Sequence, residues 1–296
     1  MLGGRTPLLH MLFVHVNFCG VSAKWSGEKE KFLGSHNISK SLEVLFDGHT
    51  EPYIMQRLNG SKWAAAGLTG LGACCTHHQR LTHLAAALGK VPPALRRNGL
   101  RMEFGVRGAV SLNFLANFTE HEQATTWHGF DSFEGLPSAA STRTHGGGGT
   151  VWRAGAYTMH GQLPNVYPNV RLHAGWFNDT LPPFLDQHVG RPVAFLHLDA
   201  DIYESTLTVL DEVFARCGHR VGTVIAFDEL FGPPHQSKHE FRALLEASTR
   251  WGALWKFVTY TLTPRSEFAR AAIQVTSVGE RCAASAPPHS RKSERR

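Results

Sequence analysis

The chain has 296 residues, of which 42% are hydrophobic and 18% are charged, so it can form a packed core and is not disordered overall. Its formal net charge is +6, but no basic stripe is interleaved with aromatic residues, and we expect no nucleic-acid partner. The five cysteines are odd in number and fit no zinc-binding spacing, so we expect buried or free thiols rather than a disulfide framework.

The first 50 residues show no regular pattern. Their start combines one early arginine, an apolar stretch and small residues at 21–23, which is similar to a secretory signal peptide. However, His10, His15 and Asn17 interrupt the apolar stretch. We therefore expect a cytoplasmic protein and keep secretory or organelle targeting as the alternative. No other segment has the roughly 20 apolar residues of a spanning helix, so no membrane span is expected.

Beyond this segment, the sequence divides into three parts. Residues 51–98 are rich in Ala and Leu and predict a helical extension, which Pro92 and Pro93 punctuate near its end. Residues 99–278 alternate apolar strand-like runs with helical patterns, and we interpret them as the main domain. Residues 279–296 are rich in Ser, Pro and basic side chains, which is typical of a disordered tail.

Within the main domain, strands alternate with helices. The strand-like runs occupy 99–106, 125–131, 169–176, 192–199 and 222–229, followed by two runs spaced like a terminal hairpin, "WKFVTYTL" and "ARAAIQVT". Helical patterns occupy 111–120, 180–188, 204–217 and 237–250. Such alternation predicts an α/β fold in which a parallel sheet is covered by helices on both faces.

Acidic residues follow the predicted strands. In an open parallel sheet, ligands bind outside the carboxyl ends of the strands, so these positions are the candidate site. Asp199 ends one strand, and Asp228 and Glu229 end the next. If these strands are neighbours, the carboxylates converge, and a cation or a shared proton must relieve their repulsion. Oxygen ligands without His or Cys favour Mg²⁺.

The same stretch also has a structural interpretation that involves no ion. The segment "DADIYEST" precedes a predicted helix, where Asp201, Glu204 or Ser205 would cap or stabilise the helix start without any ion. We expect both roles to occur, with Asp199 facing the site, Glu204 serving the helix, and Asp201 and Glu204 outside the ion's ligand set.

Four motifs in order, "GFDSFEGLP", "GWFNDTLPPFL", "VAFLHLDADIYEST" and "TVIAFDELFG", give the chain a family resemblance. It resembles the TylF-type (macrocin O-methyltransferase-like) family of class I S-adenosylmethionine-dependent methyltransferases from about residue 100 to 275. The resemblance implies a Rossmann-like seven-stranded sheet with an antiparallel last strand. It also implies S-adenosylmethionine as cofactor and a small-molecule hydroxyl acceptor, such as a sugar or a glycosylated metabolite. A homo-oligomer is left open.

The resemblance also assigns site residues. Those that would line the methionine part of the cofactor are Glu103, Gly105, Gly108 and Ser111. Asp131, beside Ser132, would hold the ribose, while Phe177 and Asn178 would border the adenine. Asp199, Asp228 and Glu229 match the metal-binding carboxylates of the family, with Asp199 as the catalytic position, and the ion would be Mg²⁺. The general base is open among Asp199, Asp201 and His235.

The sequence departs from the family pattern at two positions. A glycine is expected at Ala109, whereas this chain has its glycine one place earlier, at Gly108, and Glu229 stands where an aspartate is common. Two other functions were therefore weighed. A non-catalytic module that retains the fold would fit the displaced glycine, and a nicotinamide-dependent oxidoreductase would need a full G-x-G-x-x-G, which the chain lacks.

Overall fold

The computed structural model describes residues 75–122, 125–137, 154–231, 240–262 and 269–284. Its seven strands are β1 (Leu100–Phe104), β2 (Trp127–Asp131), β3 (Val170–Ala174), β4 (Val193–Leu198), β5 (Val224–Phe231), β6 (Leu254–Leu262) and β7 (Ala269–Ser277). The described helices are α1 (Cys75–Gly89), α2 (Pro93–Asn98), α3 (Val110–Phe118), α4 (Phe177–Gln187), α5 (Tyr203–Ala215), α6 (Glu240–Trp251) and α7 (Glu280–Ala284).

The strands form one sheet in the order β3-β2-β1-β4-β5-β7-β6. Strands β1 to β5 pair in parallel, whereas β7 runs antiparallel to both of its neighbours. The predicted Rossmann-like sheet with an antiparallel last strand is therefore confirmed. The chain order reverses at β1, which has β2 on one side and β4 on the other, and this reversal opens a crevice at the carboxyl ends of the strands.

Helices cover both faces of the sheet. Apolar side chains of α4, α5 and α6 pack with one face, and those of α1 and α3 pack with the other. Alternate residues of β4 therefore contribute to opposite cores: Phe195 faces α1 and α3, while Leu196 faces the other layer. All residues of β1 and β4 are buried, as expected for central strands covered on both sides.

The strand and helix predictions for the main domain agree with the structure to within a few residues at most ends. Helix α4 begins at Phe177, three residues before the predicted start, and contains Pro182 and Pro183. Each proline lacks a backbone N–H, so the helix forgoes two intrahelical hydrogen bonds there.

The chain's C-terminal region differs from the expectation. Residues 280–284 form α7, where a disordered tail was predicted, and residues 285–296 lie outside the described residues. The interpretation of all cysteines as thiols is wrong for two of them, because Cys217 and Cys282 form a disulfide. It joins α7 to the end of α5. In the part of the chain that the model describes, no helix is long and apolar enough to span a membrane.

Candidate functional site

A cavity of about 760 Å³ opens at the carboxyl ends of the parallel strands, where the sequence analysis placed the site. Predicted site residues that line it are Gly105, Gly108, Ser111, Asp131, Ser132, Phe177, Asn178, Asp199, Asp228 and Glu229. Glu103 is the exception among the predicted residues, since it is fully buried beneath the wall of the cavity. Candidate base His235 lies outside the described residues.

The loop between β1 and α3 forms the floor of the cavity. Gly105 has φ +89°, and a Cβ atom there would lie 1.9 Å from the carbonyl oxygen of Asp199 on the neighbouring strand. Only glycine therefore allows β1 and β4 to approach so closely. Ala109, where the family pattern expects glycine, also has a left-handed conformation, with φ +58°. Alanine tolerates this conformation at a cost of about 1–2 kcal/mol, and the loop keeps its shape.

Glu103 holds this loop from below. Its Oε1 accepts a hydrogen bond from Ser111 Oγ at 2.8 Å, and its Oε2 lies 3.0 Å from His197 Nδ1. Glu103 and His197 are both fully buried. His197 is thus a buried supporting residue, and Glu103 fixes Ser111 at the first turn of α3.

Asp131 joins two loops of the cavity. Its Oδ2 accepts a hydrogen bond from the backbone N–H of Arg107 and its Oδ1 from that of Phe133, both at 2.7 Å. The second bond is the turn-stabilising contact of an aspartate with its own loop. The carboxylate is therefore fixed at the rim between the β1–α3 and β2 loops, in the position from which it could accept ribose hydroxyls.

Aromatic side chains form the outer walls. Phe177, at the start of α4, stacks edge-on against Phe104 with ring centroids 5.2 Å apart. On the opposite side, the guanidinium carbon of Arg107 lies 5.1 Å from the ring centroid of Tyr157. Trp176 and Tyr157 line the cavity and remain about 40% exposed, so they offer apolar surface to a ligand.

The carboxylates at the ends of β4 and β5 are held by two arginines. Arg80 of α1 pairs through Nη2 with Asp199 Oδ2, and its Nε lies 3.3 Å from Asp228 Oδ1. Arg270 of β7 donates from Nε to the same Asp228 oxygen at 2.7 Å. Although burial opposes ionisation, Arg80 and Arg270 hold the pKa of Asp228 well below its usual range.

Two other acids of the cavity, Glu229 and Asp201, have raised pKa values. Burial, together with the charges of Asp228 and Asp199, raises the pKa of Glu229 from 4.5 to about 8. Burial and the neighbouring Asp199 and Glu229 raise the pKa of Asp201. Asp201 also has φ +59°, an unusual conformation for a residue other than glycine. Glu229 can therefore hold a proton near neutral pH, and the pKa of Asp201 is raised in the same direction.

The helix that follows begins without a side-chain cap. Its N-cap is Ile202, which makes no capping hydrogen bond, and Glu204 lies in the first turn. Glu204 therefore has the position in which an acid complements the helix dipole, but it also lines the cavity, and its role at the helix start stays a prediction. Asp201 does not cap the helix, but lines the cavity.

The predicted Mg²⁺ site does not fit the side chains as they stand. Among the described residues, no group of three His, Cys, Asp or Glu side chains is arranged to hold an ion. Asp199 and Asp228 are instead paired with Arg80, a cation located where a shared ion would bind. The magnesium ion therefore stays a prediction.

Sequence reasoning missed both arginines. Arg80 comes from a helix without a recognisable motif, whose Leu81, Leu84 and Leu88 are buried in the core. Arg270 interrupts the apolar first half of β7, and this was the available signal, because an arginine in a buried strand needs an acidic partner. The partner itself, Asp228, is remote in sequence.

Comparison with known proteins identifies the family to which the chain is similar. The family model of macrocin O-methyltransferase (TylF) matches residues 28–249, well over half of the chain and starting earlier than the motifs indicated. A curated relative, the 8-demethyl-8-(2,3-dimethoxy-alpha-L-rhamnosyl)-tetracenomycin-C 4'-O-methyltransferase of Streptomyces olivaceus, is 30% identical over 67% of this chain and 76% of its own.

Among solved structures, the calicheamicin methyltransferase CalS11 is 21% identical and has a TM-score of 0.50, covering 79% of this chain and 96% of its own. This likeness concerns the fold. The family match and the curated relative establish the class of protein. The chain belongs to the macrocin O-methyltransferase (TylF) family and is an S-adenosylmethionine-dependent O-methyltransferase.

Proposed function

We propose that the acceptor is a hydroxyl group of a sugar carried by a glycosylated small molecule. The observation that supports this proposal most is the curated relative, whose name specifies a rhamnosyl group as the site of methylation. The cavity is compatible with such an acceptor. Its carboxylates can accept hydrogen bonds from sugar hydroxyls, and Trp176 and Tyr157 offer flat apolar surfaces against which a sugar ring or aglycone can pack.

The cofactor would occupy the half of the cavity next to β1 and β2. In this proposal, the glycine loop and Ser111 hold the methionine part, and Asp131 with Ser132 holds the ribose. Phe177 and Asn178, at the start of α4, border the adenine. Glu103 acts through Ser111, to which it is hydrogen-bonded at 2.8 Å, because it does not reach the cavity itself.

The reaction transfers a methyl group from the sulfonium of the cofactor to the acceptor oxygen. The C–O bond forms as the S–C bond breaks, and the hydroxyl proton must pass to a base. Asp201 is suited to this role because it lines the cavity, and its raised pKa brings it closer to the operating pH. Asp199, predicted as the catalytic residue, would orient the acceptor while Arg80 balances its charge. In this scheme, side chains of the protein alone orient the acceptor and take up its proton. The Mg²⁺ ion stays a prediction.

The substrate class is tested by incubating the protein with S-adenosylmethionine and either a rhamnosylated polyketide or its aglycone. We expect a mass increase of one CH₂ group on the glycoside alone, with S-adenosylhomocysteine as co-product. Methylation of the aglycone at a similar rate would contradict the sugar assignment. Asp201→Asn should lower kcat by about 10²–10⁴-fold, the usual contribution of a general base, and leave S-adenosylhomocysteine affinity unchanged.

A further inference from the structure

Arg80 connects the first described helix to the carboxylate site. Its guanidinium contacts Asp199 and lies 3.3 Å from Asp228, the two acids that end neighbouring strands. We propose that Arg80 is the internal counter-cation of this site and that a divalent ion can bind Asp199 and Asp228 only by displacing it. This inference concerns the same site as the proposed function, but its test does not depend on the acceptor.

Charge supports the proposal first. Asp199 and Asp228 supply two negative charges, and Arg80 and Arg270 supply two positive ones within ion-pair distance. The group is therefore neutral without any added ion. A divalent ion placed between the same acids would lie beside a guanidinium of like charge, which is unfavourable in a buried site.

Geometry supports it second. Arg80 is the cation that bridges the two acids, whereas Arg270 reaches only Asp228 in the described part of the chain. A planar guanidinium can span two carboxylates through different nitrogens, which a compact ammonium cannot do as well. The position taken by Arg80 is thus the one from which an ion would bridge the same oxygens.

The anchoring of α1 supports it third. Leu81 and Leu84, which follow Arg80 in the helix, are 4% and 1% exposed and belong to the core between α1 and the sheet. The helix backbone cannot withdraw without exposing these residues. Displacement of Arg80 must therefore occur by rotation of its side chain into the cavity that it already lines.

The experiment measures Mn²⁺ binding by electron paramagnetic resonance in the full chain, using the free-ion signal. We expect weak binding to the wild type and at least tenfold tighter binding to Arg80→Met, which keeps the apolar length but removes the charge. Arg107→Met, which removes a cavity arginine that contacts Tyr157, should change Mn²⁺ affinity by no more than about twofold. Asp199→Asn in the Arg80→Met background should abolish the gain and thereby locate the ion.

Thermal unfolding gives a second readout. Mn²⁺ should raise the Tm of Arg80→Met more than that of the wild type, since an ion that binds the native state stabilises it. If Arg80→Met does not fold, Arg80→Gln serves instead, because it removes the charge and keeps a polar side chain, and we expect its Mn²⁺ affinity to exceed that of the wild type. Unchanged or weaker Mn²⁺ binding in the folded variant would overturn the proposal. Calorimetry with S-adenosylhomocysteine separates this outcome from a failure of the proposed function, because cofactor affinity should persist in every variant.

Discussion

Asp131 fixes two loops of the cavity through its two carboxylate oxygens, which accept backbone hydrogen bonds from Arg107 and Phe133. Asp131→Asn keeps one oxygen acceptor and so should retain the fold, but it removes the charge that would receive ribose hydroxyls. We expect S-adenosylhomocysteine affinity to fall about tenfold or more, because a hydrogen bond to a charged group contributes roughly 1.5–3 kcal/mol. Calorimetry would measure it. Glu134→Gln, an exposed change in the same loop, is the control, and equal affinities would remove Asp131 from the binding site.

The shifted pKa of Glu229 makes the stability of the folded protein depend on pH. Its pKa is raised from 4.5 to about 8 by burial and by Asp228 and Asp199, so the folded state holds a proton that the unfolded chain releases. Its contribution to stability is therefore complete below about pH 4.5 and is lost as pH rises through 8. Glu229→Gln removes this titration, so at pH 8 its free energy of unfolding should exceed that of the wild type by up to about 4 kcal/mol, since each unit of a pKa shift from 4.5 to about 8 corresponds to about 1.36 kcal/mol.

Urea denaturation across this pH range measures the effect. The difference between Glu229→Gln and the wild type should grow from pH 5 to pH 8, whereas Glu134→Gln should show no such trend. A constant difference at all pH values would show that Glu229 titrates normally.

Residues of the candidate site could be predicted from the sequence where they directly follow a strand. Asp199 and Asp228 were found because the carboxyl ends of parallel strands meet at one edge of a sheet, which places their side chains together. Arg80 was not found, because its contact with Asp199 joins positions that are 119 residues apart. The pattern around Arg80 shows only a helix, and nothing in it specifies which acid the guanidinium meets.

Among the elements, α1 has the largest consequence for the site, because it carries Arg80 and covers one face of the sheet. Leu88 is fully buried in its core. Leu88→Ala should lower the free energy of unfolding by about 2–5 kcal/mol, through lost burial and the cavity that remains. Urea denaturation checks this value. Val189→Ala, at a position that is 81% exposed, should change it by less than about 0.5 kcal/mol. Comparable effects in the two variants would mean that α1 is not docked as described.

Element types followed from periodicity, since the apolar runs of the strands and the spaced apolar positions of the helices differ in period. The ends of the helices and strands were predicted less well than their types. Helix α4 starts at Phe177, three residues before its predicted start at position 180. Helix α7 has only five residues and no periodic signal, and it is joined by Cys282 to a residue 65 positions earlier. Contacts between residues that are so far apart in the chain leave no local sequence pattern.

At the scale of the whole molecule, the order of the strands decides where the chemistry is located. Strand β1 lies between β2 and β4. The chain therefore adds β2 and β3 on one side of β1 and then adds β4 and β5 on its other side. The loops after β1 and β4 therefore separate and leave a crevice, which the glycine loop and Asp199 enter. Sequence predicted this edge of the sheet but not the packing of α1 against it, because the helix is distant in sequence from every strand it covers.

A disulfide constrains the C-terminal part of the described chain. Cys217 and Cys282 join the end of α5 to α7 across 65 residues that include β5, α6, β6 and β7. Closing a loop of this length restricts the unfolded chain, by about 4 kcal/mol in the chain-entropy model, and measured values are typically about 2–4 kcal/mol. Reduction should therefore lower the Tm of the oxidised protein by several degrees in calorimetry. The double variant Cys217→Ala/Cys282→Ala should unfold at the reduced protein's Tm and be insensitive to reductant. If reductant leaves the wild-type Tm unchanged, the bond does not stabilise the native chain.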